Sequence, residues 1–280
     1  MKNSILKQLE EFYPNKDIKN LNEIRYKDGI FVGSVEISGQ KLVVKYFENP
    51  QHAVEIKYYK LLNFLGVPTP KFYYASNNLL VMENINFNTS YHLATAEDLK
   101  NKNTITALAR WYKTLHTQGE MLDLTNFYSE LDFITKENLE SLKGILPSTE
   151  NLELMLENFE KLSDAIKSLP LTITYNDFAE ENMIAGENFA MMYDHNKMGK
   201  GLRFFDIQNV CFMLHDDMKK AFKEEYGEIP EIEKVAYNLL IPFITLIMAS
   251  KMPKFPGWAN PYILKAQSPE IKELLFTFLA

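Results

Sequence analysis

At 280 residues the chain is long for one globular unit, and two are expected. Its 46% apolar and 13% aromatic content supplies ample core and excludes a disordered chain. The net charge of −7, with a pI near 5.4, excludes general nucleic-acid binding, which needs a basic surface.

Met1-Lys2-Asn3-Ser4 leads directly into an amphipathic stretch without a signal-peptide core. Residues 30–38 and 41–47 are β-branched and aromatic runs separated by Gly39-Gln40, which predicts a hairpin. Asn49-Pro50 predicts a helix start, with Asn as N-cap and Pro in the first helical position. Val54, Tyr58, Leu61, Leu62 and Leu65 carry the helical period to a stop at Gly66 and Pro68. Phe72-Tyr73-Tyr74-Ala75 and Leu79-Leu80-Val81-Met82 predict a second strand pair around Asn77-Asn78. After Glu83 the texture becomes helical, with helices expected over about 94–118, 129–144, 149–168, 207–225 and 230–250. The lone Cys211, in Val-Cys-Phe-Met-Leu, cannot form an internal disulfide and reads as a buried apolar thiol. The longest apolar run, Leu239 to Ala249, is too short to span a bilayer and contains Pro242. No membrane association and a cytoplasmic location are therefore expected.

The segment Thr174-Tyr175-Asn176-Asp177-Phe178-Ala179-Glu180-Glu181-Asn182 lies between two short apolar runs read as strands, around Ile173 and at Met183-Ile184-Ala185. A carboxylate and a carboxamide on a rigid loop suit phosphoryl transfer: one accepts a proton from a hydroxyl, and the other helps hold magnesium on nucleotide phosphates. The same residues also suit a turn whose Asx side chains bond their own backbone. Lys45 sits on the second strand of the predicted hairpin among Val43, Val44 and Phe47, where alternation allows it to face either a cleft or solvent. Glu55, early in the following helix, can pair with Lys45 or serve only the helix dipole.

The stretch Glu55 to Pro70, the run Leu79 to Glu83 and the helix Leu108 to His116, ending in Leu-His, together resemble the aminoglycoside phosphotransferase family and its choline-kinase-like relatives. The resemblance covers residues from about 20 to 215. It implies an α+β, bilobal, protein-kinase-like fold, with a small antiparallel-sheet N-lobe over 1–84 and a larger, mostly helical C-lobe over 85–280. It also implies Asp177 as base, Asn182 and Asp194 as magnesium ligands, Lys45 on the nucleotide phosphates and Glu55 holding Lys45. The backbone from Glu83 to Ile85 would receive the adenine, with Met82 behind it. Asp194 lies 194 − 182 = 12 residues after Asn182, a natural length for two short strands joined at Gly186-Glu187-Asn188, whereas Asp206 lies 24 residues on. The segment from Asp194 through Gly199 and Gly201 to Asp206 resembles the family's metal-aspartate segment. That match implies Asp206 is a buried aspartate bracing the catalytic loop through backbone N–H groups.

Three departures from the family pattern are visible. Tyr175-Asn176 stand where the family has His-Gly, and His195-Asn196 where it has Trp-Glu. The first hairpin has no G-x-G-x-x-G, only scattered Gly29, Gly33 and Gly39. His195 is read as solvated or structural rather than a metal or substrate contact, and His116 as a packed helix-end residue. The implied activity is ATP- or GTP-dependent, magnesium-requiring transfer of a γ-phosphate to a small-molecule hydroxyl, by a monomer or dimer. Glu180 and Glu181, with Asp216-Asp217 and Glu224-Glu225, would suit a cationic amino sugar or aminoglycoside, with antibiotic resistance as a consequence. The later acidic cluster reads first as solvated helix faces, and Trp258 as a pocket wall or a loop anchor. The alternatives are a choline- or sugar-type metabolite kinase, or a nucleotide-binding regulator without turnover.

Overall fold

The computed structural model describes residues 1–280, which pack as two compact units interleaved along the chain. One comprises Met1–Gln118, Asp177–Met198 and Met213–Tyr226; the other comprises Gly119–Asn176, Gly199–Phe212 and Gly227–Ala280.

The first unit begins with helix α1 (Lys2–Phe12) and strands β1 (Ile18–Lys27), β2 (Ile30–Ile37) and β3 (Gln40–Phe47). Helix α2 (Val54–Phe64) and strands β4 (Phe72–Ala75) and β5 (Leu79–Glu83) follow. The five strands form an antiparallel sheet in the order β1-β2-β3-β5-β4. Strand alternation gives it two apolar faces. On one, Phe31, Val35, Leu42, Val44 and Val81 bury against Ile5 and Leu9 of α1. On the other, Phe47, Leu80 and Met82 pack against Ala53, Ile56 and Tyr59 at α2. Each such aliphatic or aromatic side chain contributes roughly 1.5–3 kcal/mol on burial. Apart from β7 (Thr172–Thr174) and β10 (Gly199–Gly201), which belong to the second unit, the chain goes on to β6 (Tyr91–Leu93), α3 (Lys102–Gly119), β8 (Met183–Gly186) and β9 (Phe189–Met192) of the first unit. Strands β6, β8 and β9 make a small antiparallel sheet within this unit.

The second unit contains the β7–β10 pair and a core built on the helix Glu231–Ser250, whose Leu239, Leu240, Phe243, Ile244 and Ile247 are wholly buried. At 20 residues it is longer than the apolar run that marks it in the sequence, and it passes the length and composition test for a membrane span. However, 61% of its apolar window is buried inside the protein, as in a core helix. Asp206, 1% exposed, accepts the backbone N–H groups of Tyr175 at 2.7 Å and Asn176 at 2.8 Å. Asn176 has φ 64°, a left-handed conformation that glycine adopts freely and asparagine tolerates best among larger residues. That conformation explains why asparagine can replace the glycine of the resembling family.

Several helix expectations change in detail. Asn49 Oδ1 accepts the Gln51 N–H at 2.9 Å and closes a turn, so α2 starts at Val54 rather than at Pro50. The stretch 94–118 becomes helical only at Lys102, after β6 and a cap in which Asn101 Oδ1 accepts the Asn103 N–H. Residues 129–144 form a turn and a short helix, Lys136–Ser141, capped by Thr135. Residues 149–168 break at Asn158, whose side chain donates to the Leu154 carbonyl, and 207–225 divides into Arg203–Met213 and Asp216–Tyr226. Cys211 is buried as expected.

Asp206→Ala should destabilise the protein by about 2 kcal/mol or more, because two N–H donors lose their acceptor in the interior. Asn176→Ala should cost about 1–2 kcal/mol from left-handed strain, while Asn176→Gly should cost little. Urea unfolding of the three variants measures both effects, and equal losses for Asn176→Ala and Asn176→Gly would remove the backbone argument.

Candidate active site

Within the first unit, the β3 register pairs Lys45 with Val32 on one side and Leu80 on the other, which turns its side chain toward the α2 face of the sheet. Lys45 is 8% exposed, so the solvent-facing alternative does not occur. Its Nζ lies 2.6 Å from Glu55 Oε2 and 2.8 Å from Asp194 Oδ1. Burial alone would lower the Lys45 pKa, but the charges of Glu55 and Asp194 outweigh it and raise the value. Glu55 is wholly enclosed, and burial pushes its carboxyl up to about 6 against the opposing pull of Lys45 and a backbone bond from His195. The geometry places the ammonium between two carboxyl groups.

Asp194 follows the β8–β9 hairpin, whose first pair is Met183 with Met192. The chain leaves the hairpin with Tyr193 N–H donating to the Asn182 carbonyl at 2.9 Å and the Tyr193 hydroxyl donating to the Glu181 carbonyl at 2.6 Å. Asn182 and Asp194 thus stand on adjacent ends of one hairpin, and Asp194 turns out of it with φ 61°. Asn182 Nδ2 donates to Asp177 Oδ2 at 3.2 Å and to the Asp177 carbonyl at 3.1 Å. Both bonds use its amide nitrogen, so Oδ1 is the acceptor atom of that side chain. Asp177 is half-buried. Burial raises its pKa above the usual 3.8, Lys197 pulls it back and the charge of Asp194 raises it further.

His195 is wholly buried, with its ring edge-on to Tyr59 at 4.6 Å between centroids. Burial and the charge of Lys45 lower its pKa to about 3, so it is a neutral packing group. The solvated reading of this residue is thereby excluded, and the structural one holds. Tyr59 in turn bonds the backbone of Asp194 through its hydroxyl, tying α2 to the same turn.

Met82 is 8% exposed and lies opposite Val43 on the same face as Lys45. The Glu83 N–H donates to Lys71 O at 2.8 Å, and its carboxylate accepts from Lys71 N, the Tyr91 hydroxyl and Asn88 Nδ2. The Ile85 carbonyl accepts from Asn88 N, in a single turn spanning Ile85–Phe87. These bonds fix the path of the strand-to-turn segment from 83 to 88. A cavity of about 430 Å³ opens against Lys45 and Asp194 and is also walled by Ile30, Val32, Asn196 and Lys197.

Sequence reading did not single out Tyr59 or Lys197; neither belongs to a spacing motif, and only the folded hairpin and α2 bring them to the cluster. His116 is buried, with Nδ1 2.8 Å from the Tyr226 hydroxyl, in keeping with a packed helix-end role. The acidic run after residue 216 is a solvated face with its charges met locally, by Lys219 on Asp216, Lys220 on Glu224 and Arg110 on Glu225. Trp258 is 55% exposed.

The donor chemistry of Asn182 and Asp194, one carboxamide and one carboxylate oxygen, fits a hard divalent cation such as magnesium that shares its shell with phosphates and water. No group of three or more His, Cys, Asp or Glu residues gathers as a closed metal cage.

No protein-family model matches the chain. A 15 kDa excretory/secretory protein of Haemonchus contortus is 28% identical over 122 residues, which are 42% of this chain and 76% of that protein. Among solved structures, a choline/ethanolamine kinase family protein from Mesorhizobium loti superposes with a TM-score of 0.63 at 15% identity, covering 99% of both chains. The GDP complex of an aminoglycoside 2′-phosphotransferase IIIa mutant superposes with a TM-score of 0.59 at 10% identity, covering 100% of both. At such identities the likeness is one of fold: the chain is α+β with the protein-kinase-like fold of these enzymes.

Lys197→Met should raise the Asp177 pKa, because it removes the positive charge that opposes burial there. A carbon-13 NMR titration of the side-chain carboxyls measures the effect, and an unchanged or lower value would contradict the electrostatic arrangement described.

Proposed function

We propose that this protein is a magnesium- and nucleotide-dependent phosphotransferase that acts on the hydroxyl of a small molecule. The observation that carries the reading is the joining of Lys45, Glu55 and Asp194 through contacts of 2.6 and 2.8 Å, in a chain where Asn182 also holds Asp177. Phosphoryl transfer asks a protein mainly for positioning and for charge to set against phosphate oxygens. In this reading Lys45, steadied by Glu55, meets the nucleotide phosphates. Asp177 orients the acceptor hydroxyl and takes its proton as the new oxygen–phosphorus bond forms and the bond to the nucleoside diphosphate breaks. Asn182 and Asp194 would hold magnesium, which when bound neutralises charge on the phosphates. Met82 and Val43 would back the base, and the backbone from Glu83 to Ile85 would receive its edge. The lobe division at residue 84 belongs to the same reading, with the nucleotide side on 1–84 and the catalytic loop and acceptor side on 85–280.

The printed descriptions of the structural neighbours support nucleotide use and a small-molecule acceptor, a choline/ethanolamine kinase family protein in one case and a GDP-bound aminoglycoside phosphotransferase in the other. ATP or GTP would be the donor. Glu180 and Glu181, three and four residues past Asp177, favour an acceptor with positive charge. An amino sugar and a choline-type amino alcohol both meet that description. A regulator without turnover is the weaker reading, because it would have no need to keep Asp177, Asn182, Asp194 and Lys45 together.

Purified protein should consume ATP or GTP in a magnesium-dependent way with a cationic, hydroxyl-bearing acceptor in a panel of aminoglycosides, choline, ethanolamine and sugars. Asp177→Asn should lower kcat by about 100-fold or more with nucleotide binding retained. Asp194→Ala should abolish magnesium-dependent nucleotide binding near the native melting temperature, whereas Asp206→Ala should chiefly lower the melting temperature. Nucleotide binding without turnover across the whole panel would favour the regulator, and exchanged phenotypes for the two aspartates would move the metal site to Asp206.

A further inference from the structure

The first hairpin raises a question that the rest of the nucleotide side does not answer: what it presents to phosphates without a glycine-rich loop. Its tip is a two-residue turn, Asp28-Gly29, with φ 52° and 75°, closed by pairing of Lys27 with Ile30. The Gly29 carbonyl accepts the Glu48 N–H at 2.9 Å. Gly33 serves the sheet itself: a Cβ there would stand 2.7 Å from the Asn22 carbonyl oxygen. Neither glycine sits in an open loop able to wrap an anion in backbone N–H groups.

Side chains take the position instead. Directly opposed residues of antiparallel strands share a face. Arg25 pairs with Val32, which pairs with Lys45; Lys27 pairs with Ile30, which pairs with Phe47. Arg25 and Lys27 are therefore on the Lys45 face of the sheet, and both line the 430 Å³ cavity that also meets Asp194 and Lys197. Tyr26, between them, takes the opposite face, where its hydroxyl donates to Glu48 at 2.6 Å. Charges on an edge strand often serve only to block pairing with another sheet. Here, however, both cations converge on one cavity in a chain of net charge −7. The cation deepest in that cavity, Lys45, is already matched by Glu55 and Asp194. Lys27 has only the exposed Asp28 near it, at 3.8 Å.

We propose that Arg25 and Lys27 form a side-chain clamp for the outer phosphates of the nucleotide, in place of the backbone cradle of a glycine-rich loop. The clamp rests on the nucleotide reading of the site given above. A guanidinium binds phosphate in a bidentate fork and an ammonium as a point charge, so the two supply direction and charge respectively. Both are exposed at the cavity mouth and are free to close on an anion.

The test is isothermal titration of magnesium-ATP, magnesium-GTP and AMP into wild type, Arg25→Gln, Lys27→Gln, the double variant and Arg25→Lys, with melting temperatures recorded alongside. Each single Gln variant should bind the triphosphate about 10-fold more weakly, the double variant more weakly still, and AMP within about 2-fold of wild type. Arg25→Lys should recover part of the loss, and melting temperatures should stay unchanged. Wild-type triphosphate affinity in the double variant would overturn the clamp and leave the nucleotide reading standing. Equal losses for AMP and ATP would likewise overturn it, since the residues would then support the base or the fold. A wild-type protein that binds neither ATP nor GTP would overturn the nucleotide reading, and the clamp with it.

Discussion

A lysine ammonium enclosed between two carboxylates is the interaction on which the first unit's chemistry depends. Lys45 lies 2.6 Å from Glu55 and 2.8 Å from Asp194, with Glu55 wholly buried. Charges so placed are expensive to desolvate, and removing the ammonium typically costs about 3–5 kcal/mol because the buried Glu55 then remains uncompensated, whereas loss of the more exposed Asp194 leaves the Lys45–Glu55 pair intact. A cluster of this kind is weak evidence for stability and strong evidence for position: it fixes one strand, one helix and one turn relative to a single point. Glu55 brings α2 to the sheet, and His195 extends the contact by packing on Tyr59 and bonding Glu55 through its backbone.

The Asp177 carboxylate is tuned by opposing influences. Burial and the charge of Asp194 push Asp177 toward the neutral form, while Lys197 and the Asn182 amide favour the ionised one. The hairpin between β8 and β9 is what makes this possible, because it returns the chain so that Asn182 and Tyr193 are hydrogen-bonded neighbours and Asp194 comes next. On the other side of Asp177 the chain is held by Asp206, which takes the N–H groups of Tyr175 and Asn176.

Much of this was legible in the sequence because it rests on local rules. The β2–β3 and β4–β5 pairs and the helix stopping at Gly66 follow from alternation, turn chemistry and capping. Strand β1 was not legible: its residues are mostly polar, and an edge strand exposed along nearly its whole length needs no apolar face. The long helices were over-extended because apolar periodicity continues across breaks made by single side chains such as Asn158 and Asn101. Arg25, Lys27 and Lys197 gave no signal, since their significance comes from register and from a turn that brings distant segments together.

The central claim is that nucleotide phosphates meet Lys45 within its carboxylate cluster. Nitrogen-15 NMR of the lysine side chains, with the Lys45 Nζ signal assigned by Lys45→Arg, tests it most directly. That signal should shift when magnesium-ADP is added and stay in place with adenosine. A Lys45 signal that does not move while the nucleotide demonstrably binds would contradict the account.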